Sequence, residues 1–358
     1  MAQETARGVS FSSETGARRR QASTVIIRKE VHARAGFLGN PSDMYGGKAI
    51  SFLIRDFSAR DQLWESPKLT FLPHRQHDRA QFDDLEDLVC SVERHGYYGM
   101  QRLLFATCTR VAQYAREHGI GLRRANFTIE YETSIPRQSG LGGSSAMIIA
   151  ALRALLKFYR VPEKAIPPAS LADLALSVET QELGIAAGLQ DRVVQSFGGL
   201  TYMDFARSTR SYERLDSKLL PRFGLAYLAE QHLGTMESGR VHSQVRYRWE
   251  QGDPEVRKTM GELARSAEQG RDALQRHDLK RIARLMARNH DLRVRLFGEA
   301  LGAHNIELVE IARELGFAAK LPGSSGAALV LLDSARADRA LAEAYSAKGY
   351  RYQTIEVL

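Results

Sequence analysis

The chemistry in this chain gathers around the stretch from Ile135 to Tyr159, IPRQSGLGGSSAMIIAALRALLKFY. Turn-forming Pro136 opens it. Gly140, Leu141, Gly142 and Gly143 follow, then the hydroxyl pair Ser144 and Ser145, and Ala146. The apolar run through Met147, Ile148, Ile149, Leu152, Leu155, Leu156 and Phe158 has helical length and no breaker. It predicts a buried helix whose first turn is supplied by the glycine loop. A helix mouth presents unpaired N–H groups and a partial positive charge, and glycines without Cβ atoms let a phosphate approach that backbone closely. A serine at the mouth can turn its hydroxyl toward a metal ion held by the same phosphates. No Gly-Lys-Ser/Thr follows, so this would be a phosphate cradle of a non-Walker kind. The alternative is a glycine loop capped by a serine. Three further stretches favour the cradle: HARAGFLGNPSDMYGGK from His32, ETQELGIAAGLQDR from Glu179 and KLPGSSGAA from Lys320.

The elements that must position these stretches are legible in outline. Val25–Ile27 and Val31–Leu38 pattern as strands ending in the turn cluster Gly39–Asp43, and KAISFLI from Lys48 and Lys68–Leu72 as further strands. Helical spacing covers Phe82–Leu88 and Tyr97–His118, the second stopping at Gly119. Phe127, Ile129 and Tyr131 alternate with polar residues in a half-buried strand leading to the central loop. After it come a helix at Leu171–Val178 and strands at Leu200–Phe205 and Phe223–Ala229. Glu255–Phe297 predicts one or two long helices with a break near Gly270, and Leu329–Asp333 a strand, before a final helix and strand. The expectation is an α+β protein of two lobes sharing a cleft. Residues 1–22 would be a disordered basic tail, 23–210 the first lobe and 211–358 the second.

Composition narrows the function. With 44% hydrophobic and 26% charged residues the chain is an ordinary soluble globular protein. Lysine and arginine outnumber acids 50 to 42, which suits anionic small molecules. The charge is spread without an aromatic-interleaved basic stripe, so no nucleic-acid partner is expected. No apolar run has the length of a membrane span, and the first 22 residues lack the apolar core of a signal peptide. Cys90 and Cys108 have neither metal-ligand spacing nor a disulfide framework, which points to a reducing, cytoplasmic setting. None of these signals sets an oligomeric state.

Taken together, the four stretches resemble the GHMP kinases of small metabolites, whose three motifs occur in the same order. The wording is most similar to plant-type glucuronokinases: GNPSD at Gly39, LGIAAGLQDR from Leu183, GGLTYMDF from Gly198 and VHSQVRYRW from Val241. The resemblance implies the two-lobed fold with its active site in the cleft, and ATP with Mg2+ as requirements. The reaction implied is transfer to the anomeric hydroxyl of a sugar acid, D-glucuronate. Rival readings are a 1-kinase for galacturonate or a neutral hexose, and a catalytically idle sugar sensor.

Phosphoryl transfer needs a phosphate cradle, a metal, a proton acceptor and tight positioning. By resemblance, Asp191 is the catalytic aspartate, and Arg34 pairs with it and with the transferred phosphate. Ser145 and Glu179 hold the metal, with Glu182 as the rival carboxylate because it lies on the same helix face. Asp43 grips sugar hydroxyls or merely starts the turn. Gly323, Ser324 and Ser325 close over substrate, and Arg192 contacts it or makes a salt bridge. A uronate also needs a fixed cation for its carboxylate, and the candidates are Arg137, then Arg192 and Lys48. Two departures from the family stand out. Gly142 and Gly143 lengthen the phosphate loop, and Pro322 and Ser325 replace the usual threonine and glycine of the last loop.

Overall fold

The computed structural model describes residues 25–74, 78, 101–206, 209–228 and 238–358. The expected basic tail, the Phe82–Leu88 helix and Cys90 lie outside the described residues. Strand β1 (Ile27–Leu38) pairs antiparallel with the long β2 (Lys48–Glu65), merging the two strands expected near Val25 and Val31 into one. The same β2 pairs with β4 (Phe127–Thr133) near one end and β5 (Leu200–Asp204) near the other, so it is the spine of the first sheet. Short β3 (Thr70–Phe71) adds in parallel to β4, and β6 (Ser211–Leu215) adds to β5. The first sheet therefore runs to Leu215, past the boundary expected at residue 210. A second antiparallel sheet has the order β10 (Tyr350–Ile355), β7 (Phe223–Leu228), β9 (Ala327–Leu331), β8 (Ala319–Lys320).

The apolar run after the glycine loop forms helix α2 (Gly143–Phe158), preceded by α1 (Gln101–Glu117). Residues Ala146–Leu152 of α2 are buried, and the helix lies against β1 and β2. The two sheets meet over stacked aromatics: Phe52 and Phe223 have ring centroids 5.3 Å apart, and Phe37 sits edge-on to both. One apolar core thus backs both walls of the cleft.

The Ala/Leu/Arg-rich segment breaks later than its glycine suggests. Helix α6 (Pro254–Gln275) continues through Gly270, and α7 (Leu279–Phe297) starts after Asp278 caps it. Gly270 is there for contact: a Cβ would collide with Leu38 Cδ1, so the missing side chain lets α6 approach the first sheet. Three shorter helices stand between these parts: α3 (Pro168–Ser177), α4 (Gln190–Phe197) and α5 (Ser238–Glu250). Helices α8 (Ala303–Glu314) and α9 (Ala335–Ala347) complete the second lobe. Among the described residues no helix is long and apolar enough to cross a membrane.

One core position has a measurable consequence. Asp61 on β2 is fully buried, has no hydrogen-bond partner among the described residues, and burial raises its carboxyl well above the usual range. A raised folded-state value means its protonated form is favoured on folding. Stability is then complete below the unfolded value of about 4 and declines as pH rises toward the folded one. Asp61→Leu should therefore raise the melting temperature by a few degrees at pH ~8, from relief of ~1–3 kcal/mol of desolvation, and the gain should shrink toward pH ~4. Thermal melts across that range test this; a loss of stability at pH ~8, or a gain that grows as pH falls, would refute it.

Candidate active site

Strand β1 carries Arg34 into the wall of a cavity of about 310 Å³. The residue is only 7% exposed, so its charge needs partners. Its Nε donates to Asp191 Oδ1 at 2.5 Å and its Nη2 to Asp191 Oδ2 at 2.7 Å, a two-point fork. Nη1 donates to the carbonyls of Gly140 at 2.5 Å and Pro322 at 3.3 Å. Asp191 stands in the first turn of α4, where the helix favours a carboxylate, and lines the cavity.

The phosphate-loop stretch forms the adjoining wall. Gly142 caps α2 with φ of 72°, a left-handed conformation that a side chain would strain. Gly143 and Ser144, whose first-turn N–H groups a helix cannot pair internally, line the cavity with Pro136 and Gly140. Leu141 and Ala146 are buried. The last glycine loop docks onto this one backbone to backbone: a Cβ on Gly323 would collide with the Gly140 carbonyl, and one on Gly140 would meet the Ser325 carbonyl. Gly323 and Ser324 line the cavity, while Ser325 is buried against Gly140 and is not among the lining residues. At Pro322 the group in use is the carbonyl, which also accepts from Gly36 N at 2.9 Å, so the missing N–H is not called upon.

The serine and acid placements differ from the sequence expectation. Ser145 points inward, its Oγ donating to the Gly142 carbonyl at 3.0 Å. Ser144 is the serine beside the acid: its Oγ donates to Glu179 Oε1 at 2.9 Å, and both line the cavity. Neighbouring residues at a helix start are rotated by about 100° about the axis, so only one of the pair faces the cleft. Glu182 does not share the face of Glu179. Val178–Glu182 winds as a π turn, and Glu182 lies 4.0 Å from Arg110 outside the lining.

Arg192, expected to contact substrate or make a salt bridge, lines the cavity, pairs with the second oxygen of Glu179 and donates from Nη1 to the Gly188 carbonyl at 2.8 Å. Burial pulls its guanidinium down to about 9, still charged at neutral pH beside that carboxylate. Asp43, half-buried in the turn Ser42–Tyr45 after the cis Asn40–Pro41 bond, lines the cavity and accepts from Gln190 N at 3.4 Å. Burial, then the Asp191 charge, push its carboxyl up to about 7. Lys48 is outside the lining, paired with Glu268 and, at 3.3 Å, with Asp204. Arg137 lines the cavity with Arg102, Thr133 and Met147, and its charge bears on the Tyr131 phenol.

Two cations were not legible as site residues. Arg293 on α7 is fully buried and donates to the carbonyls of Leu321 at 2.9 Å and Gly323 at 2.6 Å. Lys320 is fully buried and reaches the Gly36 carbonyl at 2.7 Å, Asn40 Oδ1 at 2.9 Å and the Leu321 carbonyl at 3.0 Å. A signal existed for Arg293. It continues the face of Ile282, Met286, Asn289 and Phe297, where an arginine is out of place on a surface helix.

This arrangement can hold a polyphosphate at the α2 mouth beside an anchored carboxylate. Among the described residues no three acidic or histidine/cysteine side chains gather as a metal cage. Comparison with known proteins agrees with that chemistry. The model for the GHMP kinases N terminal domain matches residues 106–199, and that for GHMP kinases C terminal matches 271–351. The chain is 47% identical over 313 residues to probable glucuronokinase 2 of Arabidopsis thaliana, covering 85% of this chain and 84% of that one. It is 43% identical over 343 residues to glucuronokinase 1 of the same plant, covering 94% and 93%. In fold it is similar to Lactococcus lactis galactokinase complexed with galactose, with a TM-score of 0.72 at 14% identity, covering 93% of each chain. Matched by both family models and by relatives of this identity along most of its length, the chain belongs to the GHMP kinases and is a phosphotransferase.

Proposed function

We propose that the protein uses ATP to phosphorylate the anomeric hydroxyl of a sugar acid, D-glucuronate. The observation that carries the reading is the Asp191 carboxylate, forked by Arg34 and open to the cavity beside the phosphate loop. The two Arabidopsis glucuronokinases supply the substrate class.

In this reading the α2 mouth and its glycines hold the nucleotide phosphates. Asp191 accepts the proton of the anomeric hydroxyl as that oxygen attacks the terminal phosphorus and the bond from that phosphorus to its bridging oxygen breaks, releasing ADP. Arg34 fixes the carboxylate and offsets charge on the transferring group. Asp43 takes a hydrogen bond from a ring hydroxyl and fixes the sugar in register with the base. The oxygen donors Ser144 and Glu179 suit a magnesium ion, which typically binds by one or two carboxylates plus substrate phosphates. When bound, the ion would spread the charge of the phosphoryl group. Arg192 beside Glu179 then orients that carboxylate.

A panel of sugars with ADP release as readout tests the proposal. D-glucuronate should be used in preference to galacturonate and glucose; a preference for a neutral hexose, or no sugar-dependent ADP at all, would contradict it. Asp191→Asn should lower kcat by roughly 10²–10⁴-fold with the KM for ATP little changed. Retention of more than about a tenth of wild-type kcat in a normally melting variant would remove Asp191 from that role. For the metal, Glu179→Gln and Ser144→Ala should raise the magnesium concentration needed for half-maximal rate, whereas Glu182→Gln and Ser145→Ala should leave it in place. The opposite pattern would return the ligand to Ser145 or Glu182.

A further inference from the structure

The phosphate loop is held from behind by the helix that carries the base. Asp191 and Gln195 lie four residues apart on α4, one turn along the same face. Asp191 lines the cavity, whereas Gln195 is only 1% exposed and turns its amide onto the loop. Its Nε2 donates to the Gly142 carbonyl at 3.0 Å and to the His32 carbonyl at 3.2 Å. Only the nitrogen of that amide can face two carbonyls, which fixes its orientation. Oε1 is buried without a partner among the described residues, so the side chain holds this place at a cost.

Both carbonyls stand at irregular points of the backbone. His32 precedes the slip in the β1–β2 register, two residues before Arg34. Gly142, with its left-handed φ, is one of the two glycines that lengthen the loop. A Cβ there would come within 3.1 Å of Gln195 Nε2 and of Arg34 Cγ, so the glycine leaves the amide its space.

The Gly142 carbonyl also accepts from Ala146 N and Ser145 Oγ, each at 3.0 Å. Those donors belong to the first turn of α2, and helix ends fray. Gln195 is the donor from outside the helix. The direction of this carbonyl matters because a trans peptide is planar: the Gly143 N–H lies in the same plane and points the opposite way. With the oxygen turned toward α2 and α4, that N–H is turned out of the helix mouth, where Gly143 lines the cavity. A reversed peptide would set an oxygen against the phosphates in place of a donor.

We propose that Gln195 is a positioning residue for the nucleotide, holding the Gly142–Gly143 peptide with its N–H toward the phosphates. This rests on the reading above that the α2 mouth holds them. The proton acceptor and the pin of the phosphate loop are then registered by one turn of α4, about 6 Å along its axis.

Arg153 supplies the control. It donates from α2 to the carbonyls of Gln195 and Ser196 at 3.1 Å each, tying the same two helices without touching Gly142. The test measures binding of magnesium ATP, without sugar, by calorimetry. Gln195→Met keeps the volume and loses the donor, and should raise the dissociation constant roughly 2- to 12-fold, the equivalent of one neutral hydrogen bond. The KM for glucuronate should stay within about twofold. Arg153→Met should lower the melting temperature at least as much, with ATP binding within about 1.5-fold of wild type. In NMR spectra the Gly143 amide proton should move downfield when ATP binds wild type and move less in Gln195→Met, a signature that packing alone does not produce. Gln195→Asn, one methylene short of the loop, should repeat the result and serves if the methionine variant does not fold. ATP binding weakened less than twofold in Gln195→Met, an equal loss in Arg153→Met, or a Gly143 proton that moves equally in both proteins or not at all would overturn the assignment. If wild type does not bind ATP, the nucleotide reading fails independently of Gln195.

Discussion

The architecture of the cleft depends on one buried guanidinium. Arg34 ties together four segments remote in sequence: its own strand, the phosphate loop through Gly140, the base through Asp191 and the last loop through Pro322. Deleting one partner of a buried, hydrogen-bonded ion pair typically costs ~3–5 kcal/mol, because the other charge is left unpaired. Here the loss would also remove the side-chain tie between two loops whose backbones touch at Gly140 and Gly323. Positioning and electrostatics therefore share one side chain, and the site cannot be assembled without being charged.

Two further buried cations extend that logic behind the last loop. Arg293 is pulled down to about 10 and Lys320 well below its usual value, in both cases first by burial and then by neighbouring cations. Lys320 nevertheless has three oxygen acceptors, the number an ammonium requires, which argues for the charged form. The carbonyls of Leu321, Pro322 and Gly323 are thus consumed by cations, and the loop is stiff without a side chain of its own. Arg34 and Arg293 both border the cavity, so this buried cluster of like charges puts a positive potential on the wall where a polyphosphate would sit.

Much of this was legible in the chain. The glycine loop running into an apolar helix and the alternating strand before it could be read because each is a local pattern of fixed period or composition, whereas Asp191 was singled out by the family resemblance of its motif. What was not legible depended on rotation and distance. Which of Ser144 and Ser145 faces the cleft turns on about 100° of helix rotation. Glu179 and Glu182 part because a π turn changes the residues per turn, which spacing alone assumes constant. Gly270 reads as a breaker until the Leu38 side chain is seen against it. Arg293 was hidden among helix arginines, since its partners are backbone carbonyls and carry no sequence signature.

The central claim is that the carboxylate anchored by Arg34 delivers an anomeric oxygen to phosphorus. The most direct measurement is NMR of the product formed from ATP and glucuronate labelled with a carbon isotope at the anomeric position. Coupling of the labelled carbon to phosphorus, in one anomer and in step with ADP formed, is the predicted result. Phosphate on a different hydroxyl, with the anomeric carbon uncoupled, would contradict the placement of substrate against Asp191.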